Sequence, residues 1–204
     1  MNSITVFGFS VVLSMGVVAM TLQNAVFARA LGVSRLLSLV DDTTSTAIFG
    51  VQLTAVSVLG TLAHYYLNQF ALSRLSFADY IRPLSVIVCM SAAFLIVFFL
   101  SIKLTPYKHV ATAVDMMPGA AFNVTVFATI LLTASNHYDL ISSLVYAVGS
   151  SAGFILAVLL VTEGQRKLRN SNIPQALKGL PVTLLYLAGL ALAIYGLTGF
   201  SFGY

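Results

Sequence analysis

Long apolar stretches, separated by short polar segments, recur along the whole chain. Several uncharged runs reach the roughly 20 residues that an α-helix needs to cross the hydrocarbon core of a bilayer, and none shows the strict alternation of a barrel strand. The pattern predicts six membrane helices, near residues 3–21, 46–67, 81–103, 116–134, 140–162 and 180–199. We therefore expect an all-α, polytopic membrane protein that forms a single integral membrane domain over residues 1–204.

The two halves of this pattern indicate an internal duplication. Asn24 lies in the string Q-N-A-V-F-A, and Asn123 lies in the related string F-N-V-T-V-F-A about half a chain later. Because each half has three helices, the second half must enter the membrane from the opposite side, so we expect inverted repeats over about 1–104 and 105–204. An amide in hydrocarbon is costly unless its donors and acceptor find partners. The pair therefore predicts a site where the halves meet, although amides that staple helices together explain it equally well.

Each half is expected to open with a broken or half helix. In the first half the apolar character continues from Leu22 to Leu31, beyond the end of the first span. In the second half Pro118 and Gly119 fall near the start of the matching helix and predict its interruption there. A broken helix exposes backbone groups at membrane depth, which can coordinate an ion without a charged side chain. The candidate ion-path or helix-break residues are Gln23, Asn24, Gly32, Pro118, Gly119 and Asn123.

Composition and charge fix the class and the orientation. The chain is 59% hydrophobic and 8% charged, whereas soluble domains have roughly 25% charged residues. The net charge of +4 does not indicate nucleic acid, because most basic residues lie in the loops after helices one, three and five. Those loops should face the cytoplasm, so both termini are expected outside. The polar stretch Gln165 to Gly179 is a candidate docking surface, although a topology anchor explains it too. Its basic residues are Arg166, Lys167, Arg169 and Lys178.

Polar residues outside these segments predict little chemistry. The chain contains no H-E-x-x-H, Walker A, G-x-S-x-G, C-x-x-C or G-x-G-x-x-G motif, so we expect no catalytic residue and no metal site. Cys89, the single cysteine, is expected to be a small core residue. We expect His64 to anchor a helix end at the headgroup level and Asp115 to precede the N-terminus of helix four. His137 and Asp139 should form a water-exposed turn.

Four segments stand out as a set. They are L-Q-N-A-V-F-A-R-A-L-G-V-S (Leu22 to Ser34), Y-I-R-P-L (Tyr80 to Leu84), M-M-P-G-A-A-F-N-V (Met116 to Val124) and I-P-Q-A-L-K-G (Ile173 to Gly179). Together they resemble the RnfA/NqrE type of membrane subunit of the bacterial Rnf and sodium-pumping Nqr electron-transport complexes. The resemblance runs over nearly the whole chain and implies six helices in two inverted halves with a pair of half-helices. It also implies the bacterial plasma (inner) membrane, a homologous six-helix partner subunit, further complex subunits, surrounding lipid and no nucleic acid.

The resemblance further implies a cofactor that this chain is not equipped to hold. Such subunits contribute one cysteine per half to a [2Fe–2S] cluster shared with the homologous partner. This chain has Ser34 and Val124 at those positions, and iron–sulfur clusters are held by cysteine thiolates. We therefore expect no cofactor from this chain and a non-catalytic membrane subunit of an ion-translocating (sodium or proton) electron-transport oxidoreductase complex. The alternatives are a stand-alone transporter or channel that reuses the inverted-repeat scaffold, and a purely structural membrane protein.

Overall fold

A computed structural model of the protein describes residues 2–39, 43–74, 78–169, 174 and 177–198. Helices account for the regular structure of these residues, and no strand occurs among them. The helices are α1 (Asn2–Met20), α2 (Ala25–Arg29), α3 (Val33–Leu39), α4 (Thr43–Phe70), α5 (Ala78–Leu104), α6 (Val110–Ala121), α7 (Val124–Ser135), α8 (Leu140–Arg169) and α9 (Leu180–Thr198), with 3₁₀ turns at Leu72–Arg74 and Tyr107–His109. The predicted all-α class is confirmed.

Long apolar helices make this a polytopic membrane protein. Among the described residues, α4, α5 and α8 are long and apolar enough to cross a bilayer. The segments Tyr107–Ala121 and Val124–Ser135 are long and apolar enough only together, as a pair bent by 44° that is either a broken span or a re-entrant loop. The shorter apolar stretches are Ser10–Met20 in α1 and Leu180–Gly196 in α9. The six-span inverted repeat stays a prediction.

The predicted helix ends differ from those in the structure. Helices α4 and α5 extend beyond the predicted 46–67 and 81–103, and α8 continues past residue 162 to Arg169. Hydropathy marks the stretch that lies in the bilayer, whereas good helix formers such as Glu, Gln, Arg and Lys carry a helix on into water. The span predicted at 116–134 begins earlier, at Val110, and the interruption predicted within it occurs between Ala121 and Val124.

Helix α4 forms the centre of the bundle and packs against α5, α6, α7 and α8. Its core residues Phe49, Leu53 and Val56 are completely buried. Helix α1 packs along α8 through glycines: a Cβ atom on Gly149 would collide with the backbone of Gly16, and one on Gly153 would lie 2.8 Å from the carbonyl oxygen of Met20. Small residues four positions apart let two membrane helices approach closely. The end of α1 is thereby fixed against the middle of α8.

Candidate functional site: two asparagine-capped helix breaks

The first helix break follows Met20. The chain turns at residues 21–23 and resumes as α2 after Asn24, which is fully buried. The Asn24 side-chain oxygen accepts hydrogen bonds from the backbone N–H groups of Val26 (2.9 Å) and Phe27 (3.3 Å). An asparagine N-cap satisfies donors that the first turn of a helix otherwise leaves unpaired. The broken helix predicted for the first half is confirmed.

The other end of the Asn24 amide joins three elements. Its Nδ2 donates to the carbonyl oxygens of Met20 (2.9 Å), at the end of α1, and Gly153 (2.7 Å), in the middle of α8. With both its donors and its acceptor used, the amide meets the condition for burial in an apolar interior. Asn24 therefore staples the first break to α8.

The second helix break lies between α6 and α7. Asn123 is the N-cap of α7, and its Oδ1 accepts a hydrogen bond from the Thr125 backbone N–H at 2.9 Å. Helices α6 and α7 have 12 residues each and are therefore about 18 Å long. Since the hydrocarbon core is about 30 Å thick, neither helix alone is long enough to cross it, whereas the two together are.

Unlike Asn24, Asn123 is incompletely paired. Asn123 is 4% exposed, and its Nδ2 has no hydrogen-bond partner among the described residues. The hydroxyl of the adjacent Thr125, itself 1% exposed, is in the same state. Two buried, unpaired polar groups on residues two positions apart are the pattern expected of a place that holds water or an ion.

The two breaks meet at Gly32. After α2 the chain reverses through Ala30 and Gly32, both with positive φ (54° and 75°), before α3 begins. A Cβ on Gly32 would lie 3.0 Å from both Asn123 Oδ1 and Thr125 Oγ1 and 2.8 Å from the Phe154 ring. Glycine is therefore required here by its conformation and by the space. The turn that follows the first break rests directly on the cap of the second.

The position predicted for the second break is wrong. Pro118 and Gly119 lie inside α6, and the helix ends only at Ala121. Proline removes one backbone donor but does not stop the helix here. The break occurs at the asparagine instead, because its side chain can replace the missing hydrogen bond of the next helical segment.

Gly119 has a different role from the one predicted. A Cβ atom there would overlap the guanidinium of Arg35, which extends from α3 across α6. The Arg35 guanidinium lies 5.3 Å from the centre of the Phe49 ring and donates to Met116 Sδ at 3.5 Å. Stacking on an aromatic face stabilises a partly buried guanidinium. Gly119 thus makes room for a cation that connects α3, α4 and α6.

Two further polar residues, Gln23 and Asp115, are exposed. Gln23 is exposed rather than central, and its Oε1 accepts a hydrogen bond from the Tyr146 hydroxyl at 3.3 Å. It follows the end of α1, where the turn directs it away from the core. Asp115 lies exposed within α6 rather than before a helix, because α6 begins at Val110. Gln23 therefore lies in the turn of the first helix break but on its exposed side, and Asp115 lies inside α6, before the second break.

The positions of the two family cysteines lie on the surface of the chain. Ser34 is exposed in the first turn of α3, and Val124 is 51% exposed at the start of α7. Valine has no ligand atom, and Cys89, which is buried in α5 as predicted, lies at neither position. Among the described residues no group of three or more His, Cys, Asp or Glu could hold a metal ion. The residues present therefore do not fit a [2Fe–2S] cluster.

The basic segment begins on the last turns of α8. Arg166 donates to Glu163 at 3.0 Å in an exposed pair, which contributes little to stability. Lys167 and Lys178 are exposed as well. The side chain of Arg169 and residues 170–173 and 175–176 lie outside the described residues. The predicted docking surface therefore consists in part of helix.

A polar cavity lies at the C-terminal ends of α4 and α7, where the sequence predicts only a turn. We call this cavity of about 330 Å³ the vestibule; its polar lining includes Thr61, His64, Asn68, Thr133, Asp139 and Ser143. His64 is 2% exposed, with Nε2 3.0 Å from the Ser85 hydroxyl on α5. The predicted interface anchor is therefore wrong, because the imidazole finds a partner inside the bundle. His137 and Asp139 are exposed at the rim, as predicted.

The rim of the vestibule carries a negative charge. Ser142, in the first turn of α8, hydrogen-bonds to the Asp139 carboxylate and holds the pKa of Asp139 below its usual range. Asp139 is therefore ionised at neutral pH. Thr133, which lines the cavity, recurs with Thr125 and Thr129 on one face of α7, a periodicity that is visible in the sequence.

Fold and site together define the class: a polytopic helical membrane protein in which two asparagine-capped helix breaks pack against one another. Residues 12–201 match the family model described as "Rnf-Nqr subunit, membrane protein". The chain belongs to the Rnf-Nqr family of membrane subunits.

Curated relatives agree with this assignment. The chain is 28% identical over 185 residues to a subunit of the Na⁺-translocating ferredoxin:NAD⁺ oxidoreductase complex of Acetobacterium woodii, covering 91% of this chain and 95% of the relative. It is 27% identical over 194 residues to a subunit of the proton-translocating ferredoxin:NAD⁺ oxidoreductase complex of Clostridium ljungdahlii, covering 92% and 96%. A subunit of the Na⁺-translocating NADH-quinone reductase of Aeromonas hydrophila is 28% identical over 159 residues, covering 76% and 78%.

Proposed function

We propose that this protein is a non-catalytic membrane subunit of an ion-translocating oxidoreductase complex, of the RnfA/NqrE type. The observation that carries the proposal is the contact of the two asparagine-capped breaks at Gly32, in a chain that matches the family over residues 12–201. Broken helices that meet at membrane depth are the usual place for ion sites in transport proteins. Since the relatives include sodium- and proton-translocating complexes, the transported ion is sodium or a proton.

The proposed topology has six spans in two inverted halves, in the bacterial plasma membrane, with both termini outside. The α1–α2 and α6–α7 pairs would be the corresponding elements. Their support is a shared local geometry: each asparagine side chain caps the N–H of the residue two positions on, Val26 in one half and Thr125 in the other. The basic loops would then face the cytoplasm, in accord with the positive-inside rule.

The proposed partners are other subunits of the same complex, one of them homologous with six helices and others facing the cytoplasm, with lipid around the remaining surface. The homologous subunit would cover the surface that exposes Ser34 and Val124, because these are the positions at which the resemblance to RnfA/NqrE subunits implies shared cluster ligands. Without thiolates there, this chain would contribute scaffold and ion path rather than an electron carrier. The exposed Lys167 and Lys178 would contact a cytoplasmic neighbour.

Anoxic purification of the tagged chain from its native membrane tests the proposal. Mass spectrometry should find flavoprotein and ferredoxin-like subunits, together with bound flavin and iron from those partners. The variant Lys167→Glu should lose cytoplasmic subunits, while the matched charge reversal Arg74→Glu, at the exposed end of the 3₁₀ turn after α4, should retain them. Retention of every subunit by both variants would refute the docking surface.

A stand-alone transporter is the second candidate, and the side chains at Ser34 and Val124 are the observation in its favour. A chain that no longer holds a cluster can use the same helix breaks for an ion or a small substrate. Recovery of the chain alone, without flavin or iron, would establish this alternative in place of the redox complex.

A further inference from the structure

We propose that the vestibule opens into a hydrated path that follows α7 through the bundle to the second helix break and conducts a monovalent cation or a proton. The path consists of the hydroxyls of Thr133, Thr129 and Thr125, with Ser150 of α8 beside them, and we call these residues the hydroxyl track. The proposal rests on the ion-linked function above and assigns to this chain a particular path for the ion.

The hydroxyl track is continuous along one face of α7. Its three threonines are four residues apart, and their exposed fractions are 1% at Thr125, 2% at Thr129 and 4% at Thr133. Successive members are about 6 Å apart along the axis, so the track is about 12 Å long. Thr129 Oγ1 lies 2.8 Å from Ser150 Oγ, and Thr133 lines the vestibule. Asn123 and the helix break lie immediately beyond Thr125.

Unpaired polar atoms lie at both ends of the track. Thr61 Oγ1 at the vestibule and Thr125 Oγ1 and Asn123 Nδ2 at the break have no hydrogen-bond partner among the described residues. These residues are 2%, 1% and 4% exposed. A buried hydroxyl or amide left unpaired costs about 1–3 kcal/mol, and ordered water is the usual partner of such groups in protein interiors. Water at both ends therefore explains atoms that the protein itself leaves unsatisfied.

Two other residues of α7 lie in the apolar core. Val126 and Ile130 are completely buried, and the Ile130 side chain fills the space over Gly60, where a Cβ would approach its Cδ1 to 2.7 Å. Water on this helix is thus restricted to the threonine face. Val126, one residue after Thr125 on the same helix, therefore serves as a control position for the threonine face.

Charge and ligand type favour a cation. The ionised Asp139 lies at the rim of the vestibule, where the N-terminal end of α8, with partial positive charge, faces the C-terminal ends of both α4 and α7, with partial negative charge. Hydroxyl oxygens are ligands for hard cations such as Na⁺. Because no charged side chain belongs to the track, a cation would bind weakly enough to leave, as conduction requires.

Cysteine accessibility to Ag⁺, a small monovalent cation that reacts with thiols, tests the path. Cys89 is first replaced by Ala, and Thr61, Thr133, Thr129 and Thr125 are then changed singly to Cys in the full chain within its native membranes. The control is Val126→Cys. Track cysteines should react on the order of tenfold or more faster than the control, since a thiol reacts as the thiolate, which forms in water and not in a dry core. Expression and membrane insertion are checked for every variant.

A blocking variant tests continuity. In the Thr125→Cys background, Thr129→Val removes the hydroxyl at the middle of the track and should slow the Ag⁺ reaction, while the matched Ile130→Val should not. Reaction at Thr61→Cys and Thr133→Cys alone would show a closed pocket and overturn the path, as would equal rates at Thr129→Cys and Val126→Cys. Because labelling is independent of partner recovery, a dry track would refute the path while leaving the proposed complex intact.

Protection of the cysteines by Na⁺ distinguishes a sodium path from a proton path. Protection of Thr129→Cys or Thr125→Cys by Na⁺, but not by choline, would identify a sodium path. Labelling without protection would identify a water-filled path for protons. Both results support the hydrated path.

Discussion

Replacing Asn24 by Ala should destabilise the protein much more than replacing Asn123 by Ala, although the sequence presents the two residues as equivalents. The Asn24 amide makes four hydrogen bonds, two that cap α2 and two that it donates to Met20 and Gly153. Among the described residues the Asn123 amide makes one, which its oxygen accepts from the Thr125 N–H. The two substitutions therefore differ in the number of buried partners that they leave unpaired.

The expected magnitudes follow from these contacts. Loss of an N-cap costs about 0.5–2 kcal/mol, and a hydrogen bond between membrane helices contributes about 0.6 kcal/mol on average and up to about 1.7. Asn24→Ala should therefore reduce the free energy of unfolding by about 2–4 kcal/mol. Asn123→Ala should reduce it by about 1 kcal/mol. Asn24→Ser, which keeps a cap acceptor but loses the donors to α8, should fall between them.

Cys89 provides the assay. It is the only cysteine of the chain and is 5% exposed, so a thiol-reactive fluorogenic dye reports unfolding of the detergent-solubilised protein as it is heated. Asn24→Ala should show the lowest midpoint, followed by Asn24→Ser and then Asn123→Ala. A midpoint for Asn123→Ala as low as that of Asn24→Ala would show that hydrogen bonds at the first break do not determine its stability.

Three glycine substitutions test the packing around the breaks. Gly32→Ala should abolish stable assembly, measured by size-exclusion chromatography, because φ at this position is +75° and other atoms fill the space that a Cβ needs. The control Gly189→Ala should leave the elution profile unchanged, because nothing lies within 4 Å of its Cβ position. Gly153→Ala should lower the thermal midpoint about as much as Asn24→Ala, since its Cβ would lie 2.9 Å from Asn24 Nδ2. Gly119→Ala should also lower the thermal midpoint, and the double variant Gly119→Ala with Arg35→Ala should recover part of that loss. An unchanged midpoint for Gly119→Ala would exclude the close contact between Gly119 and the Arg35 guanidinium.

Hydropathy was sufficient for the class of fold but not for the position of the second break. Apolar length predicts which stretches enter the bilayer, so the spans at α4, α5 and α8 were found with errors only at their ends. The break was expected at Pro118 because proline lacks a donor. A helix tolerates that loss, and it ends where Asn123 can cap the next segment. The capping hydrogen bond of Asn123 therefore decides where the helix breaks, and the low helix propensity of Pro118 does not.

The pattern of hydrophobic and polar positions does not predict the vestibule or the contact of Arg35 with α6. Both depend on residues distant in sequence: Thr61 and Thr133 line one cavity, and the Arg35 guanidinium packs over Gly119. A sequence without paired contacts cannot show that His64 finds Ser85 inside the bundle. The periodic threonines of α7 and the glycines of α8 were visible signals, but their meaning depends on which neighbour they face.

The sequence left two explanations for the asparagine pair, a structural staple and a functional site, and the geometry favours a different one for each residue. Asn24 uses every donor and acceptor of its amide on the protein, which leaves nothing for a ligand. Asn123 uses its oxygen as a cap, and its Nδ2 has no hydrogen-bond partner in the part of the chain that the structure describes. An N–H cannot coordinate a cation, so at this break it would hold a water, and the ion would be contacted by that water and by the Thr125 hydroxyl. The hydroxyl track therefore needs water at its inner end, which is the feature that the Ag⁺ experiment measures.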